Sequence, residues 1–251
     1  MSRRKRREAI EAEMAARVAA EHTPVPGLAQ MASLNGWQPA DPPSVDEESV
    51  QCICRLAMGT HGVVDPDKRR RGYFKNMFQQ GMGSPMYNQF EAARLVNCYQ
   101  GEVDGRSFVT GNAFYDIQTL LRPAGYSGPI AAPDELGVGF CAVALPSPWP
   151  WVQLILGITA WLPSNKEGLG YPDLDAQYHV FSPNRDIARR IISPEIASLV
   201  ASRGDWGLSL HGTTLACVTA SPIFSGSDAQ ALVAATTRIA GLLPASPTSL
   251  L

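Results

Sequence analysis

His179 and the two carboxylates that precede it, Asp173 and Asp175, have the best arrangement for chemistry, in the stretch GLGYPDLDAQYHVF. A carboxylate that holds an imidazole in place lets the ring act as a general base, which a small hydrolase or transferase would need. The alternative is a polar loop that enters a strand, with His179 on the outward face. We favour the loop, because no nucleophile or ligand partner accompanies the histidine.

Other catalytic signatures are missing from the sequence. No G-x-S-x-G pentapeptide is present to form a nucleophile elbow, and the isolated histidines form no H-E-x-x-H zinc motif. The Gly-Met-Gly-Ser run at 81–84 resembles a phosphate-binding loop, but neither a lysine nor a helical pattern follows it. We therefore predict no catalytic residue, no cofactor and no metal site.

The composition is that of a globular protein with little net charge. The chain has 251 residues, 45% of them hydrophobic, and its net charge of −2 argues against a protein that coats nucleic acid or membrane. Sequence-specific nucleic-acid binding is not expected. The exception is a run of five cations at the N-terminus, Arg3, Arg4, Lys5, Arg6 and Arg7. This run is expected to touch an anionic membrane surface or an acidic partner, or else to be a solvated extension.

The cysteines indicate a reducing compartment. Their number is odd, five, and no two have the C-x-x-C spacing of a zinc or redox site. Cys52 and Cys54 alternate in VQCICRLA, so they are predicted to lie on one face of a strand as small buried side chains. The N-terminus lacks the apolar core of a secretory leader. The expected location is cytoplasmic, either free or peripheral to the inner membrane.

The longest apolar stretch is interrupted by prolines. No charged residue occurs from 136 to 165, and length alone would allow a membrane-spanning helix. Three prolines break such a helix, because each lacks a donor N–H and clashes with the preceding turn. We predict two buried strands instead, 138–145 and 152–158, joined by a loop that contains Pro146, Pro148 and Pro150.

Two tryptophans in the predicted proline loop are candidates for partner contacts. Trp149 and Trp151 are expected to be partly exposed beside the prolines, where aromatic rings often contact other proteins. The alternative is that both rings pack over the edge of the sheet.

Four segments are predicted along the chain. They are a basic, alanine-rich helical tail (1–22), a short helix with a proline-rich linker (23–48), a single domain (49–245) and a flexible C-terminal tail (246–251). The short helix is expected from Leu28 to Trp37, closed by Asn35-Gly36.

Two β-hairpins are predicted in the domain. The first joins 92–100 to 107–116, and its Asp104-Gly105 step is a strong turn signal. In the second, residues 206–210 place alternate apolar side chains on one face, His211-Gly212 turns the chain, and 215–220 returns. The apolar side chains that share that face are Trp206, Leu208 and Leu210.

Three helices are predicted near the C-terminus from their capping residues. Ser182-Pro183 and Ser193-Pro194 each offer an N-cap followed by proline, and Ser227-Asp228 begins a third helix. The apolar stripe of that last helix is expected to cover the second hairpin, and it consists of Leu232, Thr236, Ile239 and Leu243. Hairpins followed by segregated helices indicate the α+β class, with a mainly antiparallel sheet and helices packed on one face.

Four stretches resemble a group of uncharacterised actinobacterial proteins. They are Gly36-Trp37, EVDGRSFVTGNAFYD, FCAVALPSPWPWVQL and FSPNRDIARRIISPEIASLVASRGDWGLSLHGTTLACV. A fainter similarity is to the cytoplasmic domains of mycobacterial envelope-lipid transport factors. The resemblance implies a soluble α+β domain, which in that group is often membrane-anchored. This sequence departs from the group because no spanning helix is predicted.

Together these features predict a non-enzymatic binding or scaffold protein with a protein partner. Its expected place is the cytoplasm, the inner membrane surface or an envelope-associated assembly. The alternative is a small hydrolase or transferase that uses His179 with Asp175 or Asp173.

Overall fold

The computed structural model describes five stretches of the chain, 25–40, 94–116, 135–156, 168–182 and 184–244. The basic tail, the linker, the strand with Cys52 and Cys54, the loop at 81–84 and the C-terminal tail lie outside the described residues. Predictions for them stay predictions.

The described residues form five helices and six strands, with four of the strands in succession near the start. The helices are α1 (Leu28–Leu34), α2 (Pro172–Gln177), α3 (Arg185–Ile191), α4 (Pro194–Ala201) and α5 (Gly226–Leu242). The strands are β1 (Gln38–Pro39), β2 (Arg94–Val103), β3 (Arg106–Asp116), β4 (Glu135–Leu156), β5 (Tyr178–Phe181) and β6 (Trp206–Thr219). The helix α1 was predicted, and it ends at Asn35-Gly36 as expected.

The strands form one sheet in which every recorded pair is antiparallel. Its order is β1-β2-β3-β4-β5, and β6 pairs with β4. The helices pack on the sheet and share one apolar core with it. This arrangement confirms the α+β class.

The predicted first hairpin is present, with longer strands than expected. Strand β2 continues to Val103 and β3 starts at Arg106, so the turn is only Asp104-Gly105. Both residues have positive φ, 52° and 72°, as a type I′ turn requires. The two strands therefore remain paired as far as a two-residue turn.

The predicted proline loop is wrong, because β4 is one strand of 22 residues. On one side β3 pairs with β4 as far as Val143, and β5 pairs with it only from Gln153. The prolines lie between these two partners, where no ladder hydrogen bond on that side needs their missing N–H. On the other side, the register with β6 shifts on both sides of Trp149. Prolines are thus accommodated in a strand where its partners change.

The predicted second hairpin is also wrong. Strand β6 runs without a turn through His211-Gly212 and pairs with both halves of β4. Gly212 has a φ of 52° and lies opposite Trp149, within the irregularity of the pairing. The His-Gly step therefore lies opposite bulges of β4, where residues 145–148 face only residue 213 and residues 150–151 face only residue 211. A bulge bends a strand without reversing it.

The N-cap residue was predicted correctly for one helix, and for two helices the predicted N-cap is at the wrong residue. Ser193 caps α4 by accepting a hydrogen bond from the Ile196 amide, with proline next, as predicted. The cap of α3 is Asn184, not Ser182, and its side chain accepts from two backbone amides. The cap of α5 is Ser225, two residues before the predicted position. Several adjacent residues in each stretch are good caps, and spacing alone does not choose among them.

Helix α5 covers the sheet with three of the four residues of the predicted stripe, and the fourth, Leu243, lies just after the helix and is half-buried. Leu232, Thr236 and Ile239 are each at most 1% exposed, and the Thr236 hydroxyl donates to the Leu232 carbonyl. Below this helix Cys141 and Cys217 are register partners on β4 and β6. Burial raises the pKa of the Cys217 thiol to about 12, so this thiol is inert at neutral pH.

Candidate functional site

A cavity of about 510 Å³ opens where β6 begins and where the chain passes from β6 to α5. We call it the Trp206 cavity. Its lining combines aromatic, apolar and charged side chains: Ser202, Arg203, Asp205, Trp206, Thr219, Ser221, Pro222, Ile223, Phe224, Asp228 and Ala231. A concave site with apolar walls and a few convergent polar groups is the usual form of a binding site.

The inner wall of the cavity is set by the end of α4. The helix ends at Ala201, and Gly204 takes a left-handed φ of 70°, which redirects the chain into β6. Trp206 therefore enters the core at 5% exposure. The Arg203 guanidinium carbon lies 4.9 Å from the centroid of the Trp206 ring, which is cation–π distance.

The outer rim is held by a side chain on the sheet. The Asn112 side chain of β3 makes two hydrogen bonds to the backbone of Ile223. It accepts from the amide at 2.6 Å and donates to the carbonyl at 3.2 Å. Gly139 of β4 lets the segment approach closely, because a Cβ there would lie 2.7 Å from the Ile223 side chain. Ile223 is thereby buried, and the next residue, Phe224, points outward with 67% of its surface exposed.

The charges of the cavity are two carboxylates and one guanidinium. Burial raises the pKa of Asp205, while its backbone hydrogen bond and Arg203 act in the opposite direction. Asp228 lies in the first turn of α5, where the helix dipole favours a negative charge. The formal charges of these groups leave the lining with one excess negative charge when both carboxylates are ionised.

A second cavity adjoins the first at Ser202. It has a volume of about 370 Å³ and lies between α2 and α4. Its lining is Tyr171, Pro172, Asp173, Leu174, Gln177, Pro194, Ala197, Ser198, Ala201 and Ser202. The shared residue makes the two cavities neighbours on one surface.

One of the two carboxylates predicted to assist His179, that of Asp175, bonds the local backbone instead. Asp175 lies in α2 and accepts hydrogen bonds from the amides of residues 169–171 at 2.8 to 2.9 Å. His179 lies in β5, half-buried, as the register partner of Ile155. Within the described stretches no hydrogen bond or ion pair joins His179 to Asp173 or Asp175. These three residues are close in sequence, but the described structure does not join His179 to either carboxylate.

The two tryptophans proposed as partner contacts lie in β4, in different surroundings. Trp149 is 6% exposed and belongs to the core that the helices cover. Trp151 is half-buried, and its indole nitrogen has no hydrogen-bond partner in the part of the chain described. The same holds for the Gln153 amide and the Ser209 hydroxyl, which belong to paired residues of β4 and β6. Arg3 to Arg7 lie outside the described residues.

Phe224 and Asn112 carry no signal in the sequence that predicts their part in the site. Phe224 stands alone between a strand and a helix, so no periodic pattern indicates whether its ring is buried or exposed. Asn112 lies 111 residues before its partner Ile223, and its role depends on a contact that only folding creates. The one available signal is the Ser-Pro-Ile-Phe-Ser-Gly-Ser stretch, whose serines predict a helix cap and nothing more.

Two features are absent from the described residues, a membrane-spanning helix and a metal-binding cluster. No helix among them is long and apolar enough to cross a bilayer. No group of three or more histidine, cysteine, aspartate or glutamate side chains in these stretches has an arrangement that would hold a metal ion.

The class that the structure defines is an α+β domain with an antiparallel sheet and a concave site beside its last helix. The chain is structurally similar to the mycobacterial trehalose monomycolate transport factor A, TtfA, known from a crystal structure. The TM-score is 0.38 with 14% sequence identity, over 62% of this chain and 77% of that one. No family model matches the sequence, and no curated protein matches it.

Proposed function

We propose that this protein is a non-enzymatic binding protein that docks a segment of a partner protein at the Trp206 cavity. The observation that carries the proposal is Phe224, a large aromatic side chain that is 67% exposed on the rim of a cavity floored by Trp206. Exposed aromatic side chains beside concave apolar surfaces are typical of protein interfaces, where they contribute much of the binding energy.

The shape of the surface favours an extended partner segment over a compact small molecule. The Trp206 cavity and the α2–α4 cavity share the lining residue Ser202, so an extended segment bound at one would have the other within reach. The rim is firmly placed, because Asn112 and Gly139 fix the backbone of Ile223 against the sheet. A rigid rim lowers the entropic cost of binding.

Photo-crosslinking in the native host tests this proposal. We expect a photoreactive phenylalanine analogue at position 224 to give one predominant adduct with a partner protein. The matched control is the same analogue at Leu34, which is 80% exposed and lies in α1, outside the cavity. Identical adducts from both positions, or none from 224, would contradict the proposal.

The proposed place of action is the inner membrane surface, supported by the five cations at positions 3–7. Each basic residue near an anionic lipid surface contributes about 1 kcal/mol of attraction. We expect the full chain to sediment with anionic vesicles at low salt, and expect high salt to release it. Removal of residues 1–22 should abolish sedimentation. Equal recovery of both forms would leave the tail as a solvated extension.

A further inference from the structure

We propose that the partner segment at the Trp206 cavity presents an arginine, whose guanidinium lies between the Asp228 carboxylate and the exposed ring of Phe224. This inference rests on the proposed function and adds the chemistry of the group recognised. It concerns the outer part of the cavity, which the chain's own Arg203 leaves open.

The charges of the lining favour a cation. Arg203 is the one cationic side chain in the lining, and it is engaged with the Trp206 ring and with Asp205. Asp228 has no recorded ion pair or side-chain hydrogen bond with any described residue. Its backbone amide donates to the Ser225 hydroxyl, and its side chain is exposed, so the carboxylate is accessible to a ligand. Both carboxylates would repel an anionic group entering the cavity.

The aromatic rim selects the kind of cation. Phe224 offers an exposed ring, and both it and Asp228 belong to the lining of the cavity. A planar guanidinium can stack on a ring while its N–H groups donate to a carboxylate, whereas an ammonium acts as a point charge. Arg203 over Trp206 already shows this kind of stacking inside the cavity, at 4.9 Å. The outer pair of Phe224 and Asp228 repeats the same chemistry for a second guanidinium.

The test uses the full chain and a matched pair of small probes, N-acetyl-arginine amide and N-acetyl-citrulline amide. The two have nearly the same shape, and only arginine is charged. Binding is followed by NMR through the amide signals of residues 203–206 and 224–228. We expect arginine to bind about 5-fold more tightly than citrulline, and expect salt to weaken it.

Two charge-matched variants locate the effect. Asp228→Asn should weaken arginine binding about 3-fold, the range of an exposed ion pair. The control is Asp104→Asn, which removes the same charge from the β2–β3 turn, outside both cavities, and should change nothing. Thermal melts should show both variants folded. Equal binding of the two probes, an unchanged Asp228→Asn variant or an equal loss in Asp104→Asn would each overturn the proposal.

The outcomes also separate this inference from the proposed function. If the adduct at position 224 forms and is unaffected by Asp228→Asn, the partner docks there without an arginine, and this inference fails alone. If arginine binds as expected while position 224 gives no specific adduct, the docked protein segment is refuted and the preference for a guanidinium remains.

Discussion

Trp206→Ala is expected to lower the free energy of unfolding by about 3 to 5 kcal/mol. The ring is 5% exposed and belongs to the core shared by the sheet and the helices. Its removal leaves a cavity at the start of β6 and deprives Arg203 of its aromatic contact. Because domains are typically stable by about 5 to 15 kcal/mol, the loss is a large share of the total. Chemical denaturation measures it directly.

His179→Ala is the control for this measurement. His179 is half-buried on β5 and packs outside the core that contains Trp206, so its removal should cost little. An unchanged midpoint for Trp206→Ala, or a loss of the same size for His179→Ala, would show that the placement of β6 against the helices is wrong.

Asn112→Ala is expected to lower the free energy of unfolding by about 2 to 4 kcal/mol, because it leaves the Ile223 amide and carbonyl buried without partners. Asn112 is 3% exposed and makes hydrogen bonds to both groups. The same change should release the rim segment, so the specific crosslink at position 224 should weaken even under conditions where the variant is folded. Denaturation and crosslinking of one variant check both effects.

Asn184→Ala provides a matched comparison. Asn184 also makes two hydrogen bonds to backbone, but it is exposed and local, capping α3. Its loss should cost about 1 kcal/mol, the usual value for an N-cap. Equal costs at 112 and 184 would mean that burial of the Ile223 backbone does not matter, which would contradict the account of the rim.

Local signals in the sequence determined much of the secondary structure and the fold class. The Asp104-Gly105 step specified a hairpin because both residues tolerate positive φ, and the structure places the turn there. The stripe of α5 was readable because helical periodicity reports which face is buried, whatever the partner. The α+β class was predicted correctly, although one of the two hairpin signals behind the prediction is a continuous strand in the structure.

Tertiary pairing decided the elements on which local signals were ambiguous. Pro146 and Gly212 each indicate an interruption, but an interruption can be a turn or a bulge. The outcome depends on the neighbouring strands. The pairing of β4 with β3 ends before the prolines and its pairing with β5 begins after them, while β6 pairs with both halves of β4. No residue near the prolines carries information about where distant strands end.

The candidate site was determined by tertiary structure alone. Trp206 was recognisable as a core residue from alternation, but its cavity also needs Ile223, whose position depends on Asn112 far away along the chain. Asp175 is the opposite example: its position in the sequence suggested a catalytic carboxylate. In the fold this carboxylate accepts hydrogen bonds from three backbone amides. Periodicity reports how a segment meets its own neighbours, whereas a site depends on which distant segments meet and which polar groups are already satisfied.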